Sequence, residues 1–498
     1  MLLTEMFENL EVVAGVRGQA EVTDLSIDSR KLEKGMLFYC QRGRNFDGHD
    51  YARAAIEKGA CALVVDHWLD VDIPQVLVKD VREALALSAA RFFGNPAKGM
   101  RIVGVTGTKG KTTTTYLIKA IFDRMGWKTG LIGTVSTKIG DREIPGNLTT
   151  PETIDFHRNL RMMRDEGIDT LVMEVSANAI TLKRIFGVEF EIGVFSNFTQ
   201  DHLDFYGTME NYFEAKAAFF KKGTVKKAII NIDDDKALDI AQDIPRIYFG
   251  VADNRGASAR DINMLERGMA YTLAYKGEIM DLTLNLPGLF NVYNSMAAAV
   301  TALEMGCPPD VVEEGLESVA SVPGRIELVE TGTPFNVILD YAHSPASLES
   351  ILKNLRNVTR GRLIALFGCG GDRDREKRPV MGKIAGELAD FSIITSDNPR
   401  NEDPMSIIGQ IEEGISKTEG RYMVVENRRE AIMAGLMMAE AGDTLILAGK
   451  GHETYQEIKG VKKPFDERAI VKELVDLMKE GFDDIGWEKP GGKDGQGM

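Results

Sequence analysis

A glycine-rich run between an apolar stretch and a helical stretch constrains the fold of this chain most strongly. It reads I102-V-G-V-T-G-T-K-G-K-T-T-T114 and contains the pattern G-x-x-G-K-T. The glycines let backbone N–H groups close on phosphate oxygens, Lys111 adds a positive charge, and the Thr112 hydroxyl can reach a Mg²⁺. The longer form of this pattern has glycine where this chain has Val105. A glycine turn can also join a strand to a helix without binding anything, but the Lys-Thr pair favours nucleotide binding.

Length and charge exclude several functional classes. The 498 residues correspond to roughly three domains. No apolar run approaches the ~18 residues of a membrane span, and an N-terminus that is acidic within five residues does not resemble a signal peptide. The net charge of −15 disfavours nucleic-acid binding, which needs a basic face. We therefore expect neither a membrane nor a nucleic-acid partner.

Cysteine usage indicates a reduced, cytoplasmic protein. The cysteines are widely spaced and form no C-x-x-C pair: Cys40, Cys61, Cys307 and Cys369. The polar tail that begins near Gly481 predicts a disordered end.

Apolar strands that alternate with helices predict an α/β fold in three segments. We place the first boundary in the Gly94-Asn95-Pro96 turn, because Asn-Pro rarely lies inside a helix, and the second near Gly324. The predicted domains are 1–98, 99–323 and 324–498. Continuous apolar strands in the second and third segments predict parallel sheets, whereas residues 257–286 look antiparallel. Ligands gather at the C-terminal ends of such strands.

Several polar residues follow predicted strand ends in the second segment. Glu174 closes T170-L-V-M-E and is either a metal ligand facing the phosphates or a solvated strand-end acid. His202 is either a second metal ligand or a loop cap; Mg²⁺ prefers oxygen, so a histidine ligand would join a site dominated by phosphates and carboxylates. Lys216, in a helix rich in aromatic residues, is by composition alone a solvated surface lysine.

The third segment carries charged groups at three strand ends. Asp340 is either an acceptor for a ribose hydroxyl or part of a turn. The dense charge run 371–378 is either a solvated loop or a recognition site for an anionic or zwitterionic substrate. Together with D397-N-P-R400 and G449-K-G-H-E453, it supplies the arginines and acids that bind the carboxylate and ammonium of an α-amino acid.

The order of these motifs resembles the Mur ligases, the ATP-dependent peptide ligases of peptidoglycan precursor synthesis. The resemblance covers essentially the whole chain. It rests on seven sites: G107-T-K-G-K-T-T, E174-V-S, D201-H-L-D, Lys216 in its helix, N291-V-Y-N294, Pro323-Gly-Arg-Ile-Glu327 and D340-Y-A-H343. D397-N-P-R400 resembles the motif that marks members using diaminopimelate. The resemblance implies an N-terminal domain for the UDP part, a central ATPase and a C-terminal Rossmann-like domain for the amino acid.

The resemblance also implies substrates and roles. The expected reaction joins meso-2,6-diaminopimelate to UDP-N-acetylmuramoyl-L-alanyl-D-glutamate through an acyl phosphate, at the expense of ATP. Residues implied at ATP are Gly107, Thr108, Lys109, Gly110, Lys111, Thr112, Thr113, Asn291, Arg325 and Asp340. Residues implied at the UDP-muramoyl-dipeptide are Ser29, Thr149, Thr150, Ser176 and Arg184. Residues implied at diaminopimelate are Arg373, Asp397, Asn398, Pro399, Arg400, Gly449 and Glu453.

Metal and catalytic roles follow from the same resemblance. Mg²⁺ is expected at Thr112, Glu174, His202 and Lys216, with Lys216 carbamylated by CO₂, which reverses the expectation from composition. Lys111, Lys216 and His343 are the expected catalytic residues, and a monomer is expected. The chain departs from the family pattern twice: Lys109 stands where Asn is more frequent, and Asn178 where His often occurs.

Three alternatives stay open at this point. A lysine-adding ligase would not need Arg400, because lysine has no distal carboxylate for it to bind. A folylpolyglutamate synthase would not require the first segment. A nucleotide-dependent binding protein would bind ATP without ligase chemistry.

Overall fold

A computed structural model describes residues 1–43, 46–265 and 268–480. The predicted disordered tail from Gly481 lies outside these ranges. Within them, no helix combines the length and the apolar character that crossing a membrane requires.

The first unit is a small sheet covered by helices. Its strand order is β1-β5-β4-β3-β2, with β1 antiparallel to β5 and the other neighbours parallel. Its elements are α1 Leu3–Phe7, β1 Val13–Arg17, β2 Asp24–Ser26, β3 Met36–Tyr39, α2 Ala52–Glu57, β4 Ala62–Val65, β5 Gln75–Val78 and α3 Val81–Phe92. Asp80 caps α3 by accepting from the N–H groups of Arg82 and Glu83, which satisfies donors that have no partner in the helix.

The second unit contains a long mixed sheet. Its strand order is β16-β15-β14-β13-β12-β11-β6-β10-β7-β8-β9. The strands are β6 Arg101–Thr106, β7 Thr129–Ile132, β8 Ser136–Ile139, β9 Arg142–Pro145, β10 Thr170–Glu174, β11 Phe190–Phe195, β12 Val225–Asn231, β13 Arg246–Gly250, β14 Ala257–Leu265, β15 Gly268–Tyr275 and β16 Glu278–Leu284. The helices are α4 Lys111–Arg124, α5 Thr153–Asp165, α6 Ala177–Thr181, α7 Leu203–Tyr206, α8 Met209–Ala217, α9 Leu289–Glu304 and α10 Pro309–Glu317.

The centre of this sheet is parallel and its two ends are antiparallel. The antiparallel pairing of β14, β15 and β16 confirms the expectation for residues 257–286. The β8–β9 hairpin was not predicted. Helix α4 buries Leu117, Ile118, Ile121 and Phe122 against the sheet, as its 3.6-residue spacing predicts.

The third unit is a second parallel sheet with helices on both faces. Its strand order is β17-β18-β22-β19-β20-β21, in which β17 is antiparallel to β18. Its elements are β17 Glu327–Leu328, β18 Asn336–Asp340, α11 Pro345–Val358, β19 Leu363–Phe367, α12 Lys377–Leu388, β20 Phe391–Ile394, α13 Pro404–Ile415, β21 Tyr422–Val424, α14 Arg428–Met438, β22 Thr444–Ala448, β23 Tyr455–Ile458, β24 Val461–Pro464 and α15 Glu467–Glu480. The predicted α/β architecture is confirmed in the second and third units.

Strand register brings the candidate residues together. In the second unit Glu174 pairs with Val105, and Phe195 with Thr106, so β10 and β11 end beside the strand that leads into the glycine-rich loop. In the third unit Asp340 pairs with Ala448, and Phe367 with Ile394. The carboxyl ends of parallel strands share one edge, which is where α/β proteins bind ligands.

Candidate active site

The glycine-rich loop requires glycine at both ends. Gly107 has φ +147° and Gly110 has φ +85°, a region that residues with a Cβ rarely adopt. A Cβ at Gly107 would collide with Ser196 Oγ, and one at Gly110 would collide with Asn294 Oδ1. The backbone is thus free to approach a ligand closely, at the N-terminus of α4.

Lys111 folds back over the loop that carries it. Its Nζ donates to the carbonyl oxygens of Gly107 and Thr108, both at 3.0 Å. Burial lowers the pKa of Lys111 to about 8, against the attraction of Glu174. The amine therefore lies at the centre of the loop, where a phosphate group can replace the carbonyls as its partner.

Lys216 is a buried residue, and the expectation from composition that it is solvated is wrong. Its side chain is 1% exposed and its Nζ donates to Gly107 O at 2.8 Å. Helix α8 positions the amine 4.6 Å from the ring centre of Tyr212. Burial, with the nearby Lys111, holds the pKa of Lys216 well below its usual value. The structure thus brings both lysines to the first glycine of the loop.

Glu174 is likewise buried, so the reading as a solvated strand-end acid is wrong. It is 1% exposed. The N–H of Thr134 donates to Oε1 at 2.7 Å and the Thr134 hydroxyl donates to Oε2 at 3.0 Å. Thr134, which sequence reasoning missed, therefore fixes the orientation of this carboxylate beside the loop.

The residues expected at the dipeptide form a hydrogen-bonded group next to Glu174. Thr150 Oγ1 donates to Glu174 O at 2.9 Å and accepts from Ser176 N at 3.1 Å. Arg184 Nη1 donates to Thr150 O at 3.1 Å, and Thr149 Oγ1 lies 3.1 Å from the hydroxyl oxygen of Thr134. The Arg184 Nε is buried without a hydrogen-bond partner among the described residues.

Ser29 lies apart from this group. It follows β2 in a turn flanked by the ion pair of Asp28 and Arg30, at 2.9 Å. It does not belong to the described residues that line the cavities at the loop.

Lys109 and His202 lie on the other side of the loop. Lys109 Nζ donates to Asp201 Oδ2 at 3.3 Å and to Ser344 Oγ at 3.1 Å, so it bridges the second and third units. Burial would raise the pKa of Asp201, but Lys109 and His202 lower it below its usual range. His202 opens α7 with φ +54°, and its ring centre lies 5.8 Å from that of Tyr212.

A cavity of about 320 Å³, here called the phosphate-loop cavity, adjoins the loop. Its lining includes Lys109, Gly110, Thr112, Thr113, Asn291, Arg325 and Asp340. Arg325 Nη2 donates to Thr112 Oγ1 at 3.1 Å. Asp340 accepts from Ile326 N and Ala342 N, both at 2.8 Å, so its carboxylate also closes a turn. Burial raises the pKa of Asp340.

A second cavity, of about 800 Å³ and here called the wide cavity, lies between the second and third units. Its lining includes His202, His343, Arg373, Asp397, Asn398, Arg400, Gly449 and Glu453. Arg400 Nη1 donates to Gly371 O at 2.8 Å, and its Nε lies 3.3 Å from Glu457. Asn398 Nδ2 donates to Glu453 Oε2 at 2.8 Å. The structure thus brings the arginines and acids of three strand ends together around one space.

His343 is half-buried in this region as a neutral imidazole. Its Nδ1 donates to Tyr341 O at 2.7 Å. Burial, with Lys109 and Lys377 nearby, lowers the pKa of His343 to about 3. An imidazole of such low basicity is a poor proton acceptor at neutral pH.

Arg428 and Lys450 are buried charges at this site to which sequence reasoning assigned no role. Arg428 Nη2 donates to Ala448 O at 3.0 Å and Nη1 to Ser396 O at 3.5 Å, directly before Gly449 and Asp397. Its Nε donates to Glu467 at 2.6 Å, and both side chains are fully buried. Lys450 belongs to the strand-end motif G449-K-G-H-E453, and that position was the available signal.

Models of one protein family match most of the chain. The model described as "Mur ligase family, catalytic domain" matches residues 21–93, "Mur ligase middle domain" matches 105–302, and "Mur ligase, glutamate ligase domain" matches 324–451. The matches follow the three structural units in order.

Individual relatives cover nearly the full length. A Clostridium botulinum protein named UDP-N-acetylmuramoyl-L-alanyl-D-glutamate–2,6-diaminopimelate ligase is 42% identical over 95% of this chain and 99% of its own. A Bacillus licheniformis protein of the same name is 41% identical over 95% of this chain and 99% of its own. A solved structure of a ligase of that name has a TM-score of 0.65 and 32% identity, covering 92% of this chain and 95% of the other.

Proposed function

The chain belongs to the Mur ligase family, and we propose that it joins meso-2,6-diaminopimelate to UDP-N-acetylmuramoyl-L-alanyl-D-glutamate in an ATP-dependent ligation. One observation carries the proposal: Lys111, Lys216 and Glu174 converge on a phosphate-binding loop between two cavities. One cavity has the lining of a nucleotide site, and the other has the arginines and acids of an amino-acid site. Two substrates can thus meet at the γ-phosphate of ATP.

ATP lies in the phosphate-loop cavity in this proposal. The N–H groups at the start of α4 and the Lys111 amine hold the phosphates, while Asn291, Arg325 and Asp340 line the space for the nucleoside. Phosphoryl transfer depends mainly on positioning and charge neutralisation, which this loop supplies.

The donor set beside the loop fits a Mg²⁺ ion. Thr112 Oγ1 and the buried Glu174 carboxylate are oxygen donors, which Mg²⁺ prefers, and a carbamate on Lys216 would add another. His202 lines the wide cavity next to this group. When bound, Mg²⁺ would neutralise phosphate charge there.

The burial of Lys216 supports its carbamylation. The lowered pKa increases the neutral fraction of the amine, and the neutral amine is the form that attacks CO₂. A bond forms between Nζ and the carbon of CO₂, and one proton leaves to solvent. The product is an anion near Lys109 and Lys111, so the conversion places beside these cations a negative charge that they stabilise.

The ligation then proceeds in two steps. A γ-carboxylate oxygen of D-glutamate attacks the γ-phosphorus, the bond to the ADP oxygen breaks, and an acyl phosphate forms. An amine of diaminopimelate attacks the acyl carbon and loses a proton, and inorganic phosphate leaves. Thr149, Thr150, Ser176 and Arg184 hold the dipeptide beside Glu174, and the unpartnered Arg184 Nε is free to bind a substrate oxygen. His343 lines the site, and its low pKa makes it a weak acceptor for the proton of the attacking amine.

The amino-acid site lies in the wide cavity. Arg400 binds the distal carboxylate of diaminopimelate, Arg373 is an exposed cation for the other carboxylate, and Asp397 and Glu453, with Asn398 between them, accept from the distal ammonium. Pro399 and Gly449 shape the loops that carry these groups. The lysine-adding alternative is not favoured, because the relatives at 41–42% identity are named for diaminopimelate.

The proposed domains are 1–98 for the UDP part, including Ser29, then 99–323 for ATP and 324–498 for the amino acid. The sheets of the structure fall inside these limits, and Lys109 and Arg325 connect the last two. We expect the domains to close on ATP, which would keep water from the acyl phosphate. Small-angle scattering with ATP and the UDP-dipeptide should show compaction, and an unchanged radius of gyration would contradict closure.

Phosphate release by the purified protein tests the function. The assay contains ATP, Mg²⁺ and UDP-N-acetylmuramoyl-L-Ala-D-Glu, with meso-diaminopimelate or L-lysine. Turnover that requires the nucleotide sugar and strongly prefers diaminopimelate supports the proposal. A preference for lysine would support a ligase but contradict diaminopimelate as its substrate. Turnover with neither amino acid would contradict the ligase and support only a nucleotide-binding protein.

A further inference from the structure

Lys450 is a fully buried cation directly behind the wall of the wide cavity. Its Nζ donates to Asn398 Oδ1 at 3.0 Å and to Glu453 Oε2 at 3.2 Å, and it lies 3.7 Å from Asp397 Oδ1. All three partners line the cavity, whereas Lys450 does not. The ammonium thus contacts the site residues from the protein side and leaves their other faces to a ligand.

These contacts orient the polar wall of the wide cavity, by which we mean Asp397, Asn398 and Glu453. Asn398 Oδ1 accepts from both Lys450 and Glu457 N, the latter at 2.9 Å, so the Asn398 amide is oriented with Nδ2 toward Glu453. Both Asn398 and Lys450 reach Oε2 of Glu453. Among the described contacts, Oε1 is therefore the Glu453 oxygen that is available to a ligand.

Lys450 also sets the charge of this wall. Asp397, Glu453 and Glu457 contribute three negative charges, while Lys450 and Arg400 contribute two positive charges. The neighbouring Arg428–Glu467 pair is neutral as a unit. The group therefore carries one net negative charge with Lys450 and two without it.

We propose that Lys450 is a specificity-determining residue that selects an amino acid with a zwitterionic distal end over one with a cationic distal end. The inference rests on the proposed function and names a residue beyond those that touch the substrate. The distal end of diaminopimelate carries an ammonium and a carboxylate and is neutral overall, whereas the distal end of lysine is a cation.

The selection follows from the charge of the substrate ends. The Lys450 cation repels the ammonium of either amino acid, but only diaminopimelate has a distal carboxylate that the same cation attracts. A buried charge is weakly screened, so its effect extends to ligands in the adjoining cavity. Removal of the Lys450 charge therefore favours binding of lysine. Without the Lys450 hydrogen bonds, the side chains of Asn398 and Glu453 are also less well oriented, which weakens binding of diaminopimelate.

The test compares kcat/KM for meso-diaminopimelate and for L-lysine in wild type, Lys450→Met and Lys450→Arg. The ratio of the two values should fall at least tenfold in Lys450→Met, chiefly through KM, and Lys450→Arg should restore part of it. Lys463→Met makes the same change at an exposed lysine of β24 and should leave the ratio unchanged.

A second readout separates specificity from loss of folding. Binding of a fluorescent ATP analogue should be the same in wild type and Lys450→Met. If Lys450→Met does not fold, Lys450→Gln keeps a donor for Asn398 and carries the same expectation. An unchanged ratio in a folded neutral variant would overturn the inference and leave the ligase intact, whereas wild type without diaminopimelate turnover would overturn the proposed function itself.

Discussion

The amine of Lys216 lies 2.8 Å from the carbonyl oxygen of Gly107, the first glycine of the phosphate loop. Helix α8 begins over a hundred residues after that glycine, yet its lysine contacts the loop directly. Because Lys111 Nζ contacts the same carbonyl, two amines share one acceptor. Burial, together with the nearby Lys111, lowers the pKa of Lys216.

Replacing Lys216 by Arg should reduce turnover about 100-fold or more, because a guanidinium keeps the cation and cannot form the carbamate. Phosphate release at saturating substrates measures the effect. Wild type should also lose activity in CO₂-free buffer and regain it with bicarbonate. Lys222→Arg, at an exposed position next to the helix, is the control. Full activity in Lys216→Arg would exclude the carbamate.

Replacing Gly110 by Ala should abolish ATP binding, because the new Cβ collides with the Asn294 side chain of α9 and displaces the loop. Gly126→Ala is a matched control: Gly126 also has a positive φ, +81°, but no atom lies within 4 Å of its added Cβ. Each change should cost roughly 1–2 kcal/mol of stability through backbone strain. Isothermal titration with ATP should show loss of binding in Gly110→Ala but not in Gly126→Ala. Equal losses of ATP affinity in both variants would show that backbone strain, rather than the collision with Asn294, causes the effect.

ATP affinity should fall as pH rises through about 8. Burial lowers the pKa of Lys111 to about 8 in the free protein, and only the protonated amine attracts phosphate. Above that pH, binding requires uptake of a proton, so the dissociation constant should rise about tenfold per pH unit. Titrations between pH 7 and 10 measure this slope. Lys111→Arg, which stays charged, should flatten it, and a flat wild-type profile would show that Lys111 remains protonated throughout.

Replacing Arg400 by Ala should raise KM for diaminopimelate about 10- to 100-fold, because a charge-assisted contact to the distal carboxylate is lost. Activity with L-lysine, which lacks that carboxylate, should change little. Steady-state kinetics with both amino acids measure the difference. Arg429→Ala, in an exposed pair with Glu473, is the control. Unchanged kinetics with diaminopimelate in Arg400→Ala would favour the lysine-adding alternative.

Replacing Glu467 by Gln should destabilise the third unit by about 3–5 kcal/mol, because it leaves the buried Arg428 guanidinium without a counter-charge. Glu473→Gln breaks the exposed pair with Arg429 and should cost under about 1 kcal/mol. The shift in urea midpoint, followed by circular dichroism, compares the two. Similar small shifts would show that Arg428 finds other partners.

Short-range patterns predicted most of the fold. The apolar strands at 102–105, 170–174 and 444–448 and the face of α4 with Leu117 and Ile121 all lie where their periodicity places them. The β8–β9 hairpin escaped prediction because β9 is largely exposed and lacks an apolar run. Edge strands of this kind are stabilised by pairing rather than by local composition.

Burial explains why the site was harder to predict than the fold. Composition alone favours exposure for Lys216 and for Arg378 in the charge run 371–378, and it leaves exposure as one of two possibilities for Glu174, yet all three are buried. Each is compensated by a group distant in sequence: Gly107, Thr134 and Glu402, respectively. Local spacing carries no information about such partners, so the contacts of Lys450 and Arg428 emerge only in three dimensions.

The Arg428 guanidinium donates to the backbone that precedes the two loops proposed to bind the amino acid. A shift of the loop after β20 relative to the loop after β22 would disturb these internal hydrogen bonds, so the positions of the two loops are coupled. A redesign of this ligase for another amino acid must therefore work through side chains that face the cavity. If one loop were replaced by that of a relative, the other loop and the Arg428–Glu467 pair would have to match it. The two loops and this ion pair would therefore have to be exchanged together.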